Sequence, residues 1–400
     1  MTRQLLLIGA GHAHAFVLEA FALQPDKTVS ITVVSDSRFA AYSGSVPAWL
    51  AGECTLRETQ MDIAALCKRA GAHFVASPAV ALSTSERQIT LADGSVVAFD
   101  VASFNVGSTL TLPQVIAPKG NENREASAEK SIEKSVEKNA LPTLLAMRPL
   151  SSLHHRWQAL REEVAKLPAG ARQNVVSVGG GAAGCETLMS VLARLRQQRP
   201  DIHWKGTLIS AAETLLPGAG WLPRWLTARA LKSAGVRVLT GVRGRALVPG
   251  GVQTDTGEHI ETDIVLWATG AVGQTWLQRT ALPLDEKGFI SVDEALQVTG
   301  QRGIFAAGDC AALRSSPLPK AGVYAVRMGP ALAENLRAAC HGLTLTPWQP
   351  PRRVLALIGT GDGHAIASRG SIGFSGRWVW QWKQRIDARF LARFNPPFTD

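Results

Sequence analysis

Residues 5–14 of the chain read LLLIGAGHAH. The run of apolar residues before the first glycine predicts a buried β-strand, and the apolar pattern after the second glycine predicts a helix. Gly9 would let the backbone turn sharply out of the strand, and Gly11 would let amide groups at the helix start approach a ligand closely. Because backbone amides at a helix N-terminus bind phosphate, this stretch predicts a site for the pyrophosphate of a dinucleotide.

The same pattern returns in the middle of the chain, where residues 175–184 read VVSVGGGAAG. In this second copy the third glycine of the fingerprint is present as Gly184, whereas His14 stands at that position in the first copy. We therefore predict two nucleotide-binding turns. The residues expected to bind are Gly9, Gly11, His12, Ala13 and His14 at the first turn, and Gly179, Gly181 and Gly184 at the second.

A longer repeat accompanies the two turns. Residues 88–100 and residues 251–263 both read as two strands around a polar turn that contains glycine. In each copy an Asp stands seven residues before the glycine that ends the next strand, which is Gly107 in the first copy and Gly270 in the second. The chain thus contains two copies of one supersecondary plan, and we expect Gly107 and Gly270 to pass close to the bound cofactors.

A further strand runs into glycine at residues 303–310, GIFAAGDC, and here a carboxylate follows the glycine. An Asp at this position can accept hydrogen bonds from hydroxyl groups, which in a flavin cofactor belong to the ribityl chain. We therefore expect Gly308 and Asp309 to bind FAD.

On these motifs the chain resembles the two-dinucleotide flavoproteins of the pyridine nucleotide-disulfide oxidoreductase superfamily. It is most similar to type II NADH dehydrogenases and to the flavoprotein module associated with selenide, water dikinase, in which the GHAH motif of residues 11–14 and the YSGxxP motif of residues 42–47 are characteristic. The resemblance covers almost the whole chain. It implies an α/β fold with two Rossmann-like dinucleotide-binding domains, the FAD domain being discontinuous and the NAD(P)H domain inserted into it, and a small C-terminal α+β cap.

The domain boundaries follow from the motifs and from one change in composition. Residues 118–140 contain a period-four repeat with one apolar residue per turn, which cannot bury much surface, so we expect a mobile charged insertion there. The predicted division is residues 1–117 and 272–346 for the two parts of the FAD-binding domain, 141–271 for the NAD(P)H-binding domain, and 347–400 for a cap with a basic amphipathic helix.

Two polar residues near the first turn are candidates for FAD binding. In dinucleotide folds the residue at the end of the second strand contacts the adenosine ribose. Ser35 occupies that place and Asp36 follows it, and we keep Asp36 as the candidate that accepts a hydrogen bond from a ribose hydroxyl. The loop at residues 42–47 resembles the family's loop beneath the flavin ring, which implies a role for Ser43. The alternative for this loop is a Ser-capped helix start with a proline in its first turn.

The resemblance also implies two catalytic residues. Relatives place a Glu on the helix that leaves the second turn, near the meeting point of nicotinamide and flavin, so Glu186 inherits a positioning role; the alternative is an acid stabilised by the helix dipole. The last helix of the FAD domain is expected to begin after residues 319–323 and to direct the amides of Ala321 and Gly322 at the pyrimidine edge of the flavin. Lys320 would reinforce the positive charge there, unless it is a solvated lysine.

The sequence leaves the choice between NADH and NADPH open. The second strand of the predicted NAD(P)H domain ends in SAAE at residues 210–213, with no acid at the usual ribose position and no Arg for a 2′-phosphate. Glu213 is a candidate substitute for the missing acid.

Arg148 precedes a proline. Close relatives tend to have Lys at this position, so the positive charge is kept in this chain.

The C-terminal segment carries much of the net charge of +10: residues 352–400 contain eight basic and three acidic residues. Aromatic or apolar residues recur every fourth position with basic residues between them. The apolar set is Trp378, Trp382, Ile386, Phe390 and Phe394, and the basic set is Lys383, Arg385, Arg389 and Arg393. Such a helix suits an anionic membrane surface; the alternative is that its aromatic stripe docks on the FAD domain and its arginines are solvated.

The five cysteines are widely scattered, with no CxxC pair, which argues against a disulfide framework, a zinc site or the redox-active disulfide of the classical reductases. We expect Cys185 and Cys310 to be buried packing residues, and we expect no metal site.

No uninterrupted apolar run reaches the roughly 18 residues of a membrane span. We therefore expect a cytoplasmic protein, placed at the inner face of the cell membrane if the tail binds there, and no nucleic-acid partner.

These expectations combine into one leading function. The chain is predicted to be an FAD-dependent oxidoreductase that moves hydride from NAD(P)H to flavin N5 and passes electrons to a quinone-like small-molecule acceptor. Two alternatives remain open, a flavoenzyme that oxidises sulfide or a selenium species, and a flavin-binding redox scaffold whose basic tail contacts membrane or nucleic acid. The sequence does not indicate the oligomeric state.

Overall fold

The computed structural model describes residues 2–116 and 140–395. Its strands are β1 (Arg3–Ile8), β2 (Val29–Ser35), β3 (Phe39–Ala41), β4 (Gln60–Asp62), β5 (His73–Ala76), β6 (Ala79–Ser83), β7 (Gln88–Leu91), β8 (Val96–Ala98), β9 (Val101–Phe104), β10 (Thr109–Leu110), β11 (Gln114–Val115), β12 (Thr143–Ala146), β13 (Arg172–Val178), β14 (His203–Ser210), β15 (Val236–Thr240), β16 (Gly244–Val248), β17 (Gly251–Thr254), β18 (His259–Glu261), β19 (Ile264–Trp267), β20 (Ala271–Val272), β21 (Ile290–Val292), β22 (Ile304–Ala306), β23 (Ala311–Leu313), β24 (Ala356–Gly359), β25 (Ala365–Arg369) and β26 (Ile372–Gly376). Its helices are α1 (His12–Leu23), α2 (Val46–Ala51), α3 (Ile63–Arg69), α4 (Leu153–Ala165), α5 (Ala182–Gln198), α6 (Trp221–Ser233), α7 (Gly322–Cys340) and α8 (Arg377–Phe394). Residues 118–139 of the predicted charged insertion lie outside the described residues.

The first sheet is built around the stretch that opens the chain. It is parallel, with the strand order β22-β9-β1-β2-β5. The apolar residues of β1 are buried on both faces of the sheet, as expected for a parallel sheet covered by helices. Helices α1 and α7 pack against each other, and their buried residues join the sheet in one hydrophobic core.

The second sheet repeats this arrangement around the second glycine stretch. Its order is β12-β19-β13-β14-β15, and all its strands are parallel. In both sheets the strand before the glycine turn is central, the next strand in sequence lies on one side, and the strand after the hairpin lies on the other. The predicted fold class, with two Rossmann-like sheets, is confirmed.

The predicted hairpins are also present in both copies. Strands β7 and β8 form an antiparallel pair before β9, and β17 and β18 form an antiparallel pair before β19. Each hairpin belongs to a small sheet, the antiparallel sheet β6-β7-β8 in the first copy and the mixed sheet β11-β16-β17-β18 in the second, where β11 pairs parallel to β16. The internal repeat read from spacing is therefore a structural repeat.

The C-terminal segment forms the antiparallel sheet β24-β25-β26 followed by α8. The prediction of one continuous aromatic stripe along α8 needs correction, because the stripe is divided between two environments. Phe390 stacks on Tyr42 at 4.2 Å between ring centroids, and Phe394 packs edge-on against Phe16 at 5.0 Å. Towards the start of the helix Trp378 remains 53% exposed and Trp382 37% exposed.

The basic residues of α8 differ in their surroundings: Arg385, Arg389 and Arg393 are exposed, as the docked alternative expects of its arginines, whereas Lys383 is buried. Lys383 is only 5% exposed and lies 2.9 Å from the carboxylate of Asp387. Arg393 forms an ion pair with Glu19 at 2.6 Å. These two cations are used to hold α8 on the rest of the molecule. In the part of the chain that the structure describes, no helix combines the length and the apolar character needed to cross a bilayer.

Candidate active site

One continuous cleft of about 2340 Å³ passes the carboxyl ends of β1 and β13 and joins the two glycine turns. Most of the predicted site residues line it. They are Gly9, Gly11, His12, Asp36, Ser43, Gly107, Gly179, Gly181, Glu186, Gly270, Asp309, Lys320, Ala321 and Gly322. Four predicted residues do not line it, namely Ala13, His14, Gly184 and Gly308.

Asn105, which the sequence analysis did not single out, organises the first turn. Its Oδ1 accepts hydrogen bonds from the amides of Ala13 at 3.0 Å and His14 at 3.3 Å, and its Nδ2 donates to the carbonyl of Ala307 at 2.7 Å. Asn105 therefore already accepts hydrogen bonds from the amides of Ala13 and His14, and cofactor binding by these two residues stays a prediction. Gly9 must remain small here, because it has φ +86° and a Cβ would lie 2.6 Å from the Asn105 carbonyl oxygen.

The two histidines of the first turn have different surroundings. His14 is buried, with Nδ1 2.6 Å from the Gly9 carbonyl and Nε2 2.9 Å from Ser103 Oγ, so its ring links the turn to β9 by hydrogen bonds. His12 lines the cleft, and its buried Nε2 atom has no hydrogen-bond partner within residues 2–116 and 140–395. Burial lowers the pKa of both side chains to about 4. At neutral pH both rings are uncharged, and His12 offers an unsatisfied polar atom to a ligand.

Gly184 and Gly308, which are also predicted to bind cofactors, pack closely against other residues of the turns. A Cβ on Gly184 would lie 1.9 Å from the Gly179 carbonyl oxygen, so only glycine allows the helix to pass this close to the turn. A Cβ on Gly308 would lie 2.6 Å from Asn105 Nδ2. Both glycines shape the backbone of the turns without facing the cleft.

Three other glycines face empty space in the cleft. A Cβ on Gly107, Gly181 or Gly270 would meet no described protein atom within 4 Å. Gly107 and Gly270 are the repeat-related residues that follow β9 and β19. Together with the unpartnered His12 Nε2, these bare stretches of backbone form a cradle that fits a dinucleotide such as FAD.

Asp309, the candidate partner of the ribityl chain, is held by Arg148. The Arg148 Nη1 atom lies 2.7 Å from Asp309 Oδ2 and also donates to Ser108 Oγ. Arg148 follows β12 of the second sheet, whereas Asp309 follows β22 of the first. The sequence indicates a positive charge at residue 148, but its pairing with Asp309 is visible only in the structure.

The start of α7 meets the loop at residues 42–47. A Cβ on Gly322 would lie 2.5 Å from Ser43 Oγ. Pro47 lies in the first turn of α2, but Ser45 makes no capping hydrogen bond, so the alternative of a Ser-capped helix is only half correct.

Lys320 is not the solvated lysine of the alternative interpretation. Its Nζ donates to the Ala311 carbonyl and lies 3.8 Å from the ring centroid of Phe289. Burial lowers the pKa of the Lys320 amino group. A partly buried cation therefore lies beside the start of α7.

Glu186 is buried where α5 meets the C-terminal cap. Its Oε1 accepts a hydrogen bond from the Gly359 amide at 2.7 Å. Burial raises the pKa of Glu186 to about 7, against the opposing effects of the Lys383 charge and of this hydrogen bond. Glu186 does not belong to the first turn of α5, so the alternative of a helix-terminal acid is wrong.

The partners of Glu186 come from parts of the chain that the sequence analysis did not connect with it. Lys383 donates to the Gly44 carbonyl and to Asp387, and the pKa of Tyr42 is raised by burial and, to a smaller extent, by the charge of Asp387. The i,i+4 spacing of Lys383 and Asp387 on an amphipathic helix is the signal that could have indicated a buried pair.

The cysteines behave as predicted for packing residues. Cys185 and Cys310 are buried and free, and burial raises their thiol pKa values to about 12 and about 11. Among residues 2–116 and 140–395, the lining of the cleft includes no cysteine.

The far end of the cleft is basic, which the sequence analysis missed. Arg243 and Arg245, from the start of β16, line the cleft together with Ser210, Ala211 and Ala212 at the end of β14. In the sequence an arginine for this place is expected directly after β14, whereas in the structure these two arginines come from a later segment.

Comparisons with known proteins agree with this geometry. The sequence profile described as pyridine nucleotide-disulphide oxidoreductase matches residues 3–335. An NADH dehydrogenase-like protein of Mycobacterium tuberculosis is 26% identical over 327 residues, which are 78% of this chain and 74% of that protein. The type II NADH:quinone oxidoreductase of Haemophilus influenzae is 32% identical over 183 residues, 41% of this chain and 40% of that one.

A solved structure shares the fold over nearly the whole length. The sulfide:quinone oxidoreductase of Aquifex aeolicus superposes with a TM-score of 0.77 at 15% identity, covering 98% of this chain and 92% of that one. At this identity the similarity establishes the fold alone.

Proposed function

We propose that this chain, which belongs to the pyridine nucleotide-disulphide oxidoreductase family, is an FAD-dependent enzyme that oxidises NAD(P)H and passes the electrons to a quinone. The observation that carries the proposal is the single cleft that joins both glycine turns, with Glu186 and Lys320 on its lining. The names of the bacterial relatives, NADH dehydrogenase-like and NADH:quinone oxidoreductase, support the same donor and acceptor.

The first turn would hold the FAD pyrophosphate, and Asp309 the ribityl chain. Because Asn105 uses the amides of Ala13 and His14, the His12 amide and ring are the groups of the α1 start that face the ligand. The start of α7 at Gly322 points its positive dipole end into the cleft, where it stabilises negative charge. When bound, FAD supplies the two-electron chemistry that links the nicotinamide donor to the acceptor.

Glu186 would act as the proton store of the site. Its carboxyl group lies on the cleft at the start of α5, and its pKa of about 7 lets it hold a proton at neutral pH and release it. Reduction of a quinone by two electrons consumes protons, whereas oxidation of NAD(P)H supplies only a hydride. Lys383 limits the rise in the pKa of Glu186 and so keeps the proton transferable.

We also propose the domain division predicted from the sequence, with an FAD-binding domain in two parts and an NAD(P)H-binding domain between them. The first sheet takes its strands from residues before the insertion and from β22, whereas the second takes all of its strands from residues 143–267. This pattern supports a discontinuous FAD domain with an inserted NAD(P)H domain.

We also propose that the molecule binds an anionic membrane through an aromatic patch, defined as Phe374, Trp378, Trp382 and Ile386. Phe374 and Trp378 lie 6.0 Å apart between ring centroids, and Trp378 and Trp382 stack at 6.5 Å. All four side chains are exposed, with Arg385 and Arg389 exposed on the same helix. Exposed aromatic rings beside basic residues suit the interface of an anionic bilayer.

The experiment that tests the enzymatic proposal is anaerobic reduction of the purified protein. The absorption spectrum should show bound flavin, which NADH or NADPH should bleach within seconds and a water-soluble quinone should restore. If sulfide bleaches the flavin and neither nucleotide does, the proposal is wrong and the sulfur alternative takes its place. Bleaching by none of the three would leave only a binding scaffold.

A further inference from the structure

We infer that the basic end of the cleft selects NADPH over NADH, with Arg243 and Arg245 binding the 2′-phosphate of the adenosine ribose. This inference rests on the proposed function, because it names the co-substrate of the second glycine turn.

The position of the ribose follows from the second turn. The Gly179 amide donates to the carbonyl of Ile209 at 2.8 Å, so the turn begins beside the end of β14. A Cβ on Gly180 would lie 2.2 Å from Ser210 Oγ, which places Ser210 directly against the glycines. In dinucleotide-binding sheets the residue at the end of this strand contacts the ribose that carries the 2′-group.

The chain presents no carboxylate at this place. Ser210, Ala211 and Ala212 form the lining here, whereas Glu213 is exposed and is not among the lining residues. The Glu213 carboxylate instead lies against Gly241, 3.0 Å from where a Cβ would be. An acid that accepts a hydrogen bond from the 2′-hydroxyl is the usual means of selecting NADH, and Glu213 is not placed to do so.

Backbone hydrogen bonds bring the two arginines to the same place. The Val242 amide donates to the Ser210 carbonyl at 2.9 Å, so the connection between β15 and β16 runs beside the end of β14. A Cβ on Gly244 would lie 2.9 Å from Val178 Cγ1, immediately before the glycine turn. Arg243 and Arg245 flank Gly244 and line the cleft on either side of this contact.

A β-bulge turns Arg245 away from the regular pairing. Strand β16 pairs Gly244 with Thr254 and Ala246 with Gln253, so Arg245 is the extra residue. Bulges of this kind redirect a side chain and occur often beside functional sites. Both arginines are exposed, and neither guanidinium has a hydrogen bond or ion pair to another residue of the described ranges.

Two free guanidinium groups beside a ribose site suit a phosphate, because arginine binds phosphate oxygens through charge-assisted and bidentate hydrogen bonds. A 2′-hydroxyl would give them nothing comparable to bind. The geometry therefore points to NADPH as the preferred donor.

The test compares two probes that differ only by the 2′-phosphate, adenosine 2′,5′-bisphosphate and 5′-AMP, by calorimetry on the FAD-loaded protein. The bisphosphate should bind roughly tenfold more tightly. The double variant Arg243→Ala/Arg245→Ala should remove most of this difference without changing the affinity for 5′-AMP. The matched control is Arg237→Ala, which removes an exposed arginine of β15 that does not line the cleft.

Steady-state kinetics give a second measurement. The ratio of kcat/KM for NADPH to that for NADH should exceed one and should fall roughly tenfold in the double variant, while the flavin spectrum stays unchanged. Equal affinity for the two probes, or an equal loss for both in the double variant, would overturn the inference and leave the oxidoreductase proposal intact. A protein that neither nucleotide reduces would overturn that proposal, and the binding arm would still decide whether a 2′-phosphate site exists.

Discussion

The guanidinium of Arg148 lies 2.7 Å from the carboxylate of Asp309. This ion pair joins the segment after β12 of the second sheet to the segment after β22 of the first. Both side chains are largely shielded from solvent. The ion pair sets the orientation of the group that would bind the ribityl chain, and it spans the two halves of the repeat.

Arg148→Ala is expected to weaken FAD binding about tenfold, because an unpaired, partly buried Asp309 carboxylate is no longer held in place. Arg148→Lys should retain most of the affinity, since it keeps the charge. Fluorescence titration of the apoprotein with FAD measures both. Equal loss in the two variants would mean that the charge is not what matters.

Asn105→Ala is expected to lower the free energy of unfolding by roughly 2–4 kcal/mol, because it leaves the Ala13 and His14 amides and the Ala307 carbonyl without partners. Asn105→Asp, compared at a pH low enough to keep its carboxyl group protonated, offers both an acceptor and a donor without burying a charge, so its loss should be smaller. Urea denaturation followed by far-UV circular dichroism gives the comparison. If alanine and aspartate behave alike, Asn105 does not organise the turn through its Oδ1.

Glu186→Gln is expected to change how stability depends on pH. Burial raises the pKa of Glu186 from 4.5 to about 7, so between these values the native state holds a proton that the unfolded chain releases. Native stability from this group is present below pH 4.5 and is lost as pH rises towards 7. The free energy of unfolding of Glu186→Gln, relative to that of the unaltered protein, should therefore increase from pH 5 to pH 8 by an amount on the order of 2 kcal/mol. Melting temperatures of the two proteins measured across this pH range check the direction of the change.

The same variant should also alter turnover. If protonated Glu186 supplies a proton to the acceptor, the rate of flavin reoxidation by quinone should fall above about pH 7 in the unaltered protein. This limb should be absent in Glu186→Gln, while reduction by NAD(P)H should change little. If the rate of flavin reoxidation still falls above about pH 7 in the variant, the proton comes from another group.

Lys383→Met is expected to destabilise the protein by roughly 3–5 kcal/mol, because it leaves the buried Asp387 carboxylate without its cation. It should also raise the pKa of Glu186 further, moving the pH limb of quinone reduction upward. In Lys383→Met/Asp387→Asn much of the lost stability should return. Thermal unfolding and stopped-flow reoxidation across pH measure the two effects separately.

Trp378→Ala/Trp382→Ala is expected to reduce pelleting with anionic phosphatidylglycerol vesicles severalfold, because these rings are two of the four exposed side chains of the aromatic patch. The control is Leu343→Ala, which removes a 64% exposed apolar residue after α7. Pelleting that is equal in the two variants would show that the patch does not bind the bilayer.

The sequence by itself determined the fold and the location of the cleft. Both glycine stretches and both hairpins follow from local patterns, since apolar runs and glycine turns act within a few residues of chain. The arrangement of two Rossmann-like domains follows from the family resemblance that these motifs carry. The repeat spacing to Gly107 and Gly270 identified two residues that face open space in the cleft. Local signals of this kind need no knowledge of distant partners.

Only the tertiary structure decided which groups are free to bind and which are already used. The Ala13 and His14 amides looked available until Asn105, about ninety residues later, was found to accept from both. The stripe and bases of α8 looked uniform until Lys383 was found buried and Arg393 paired with Glu19. Arg243 and Arg245 reach the end of β14 through the connection between β15 and β16, which no spacing along the chain reveals. Hydrogen bonding, desolvation and charge pairing depend on neighbours in space, and the fold chooses those neighbours.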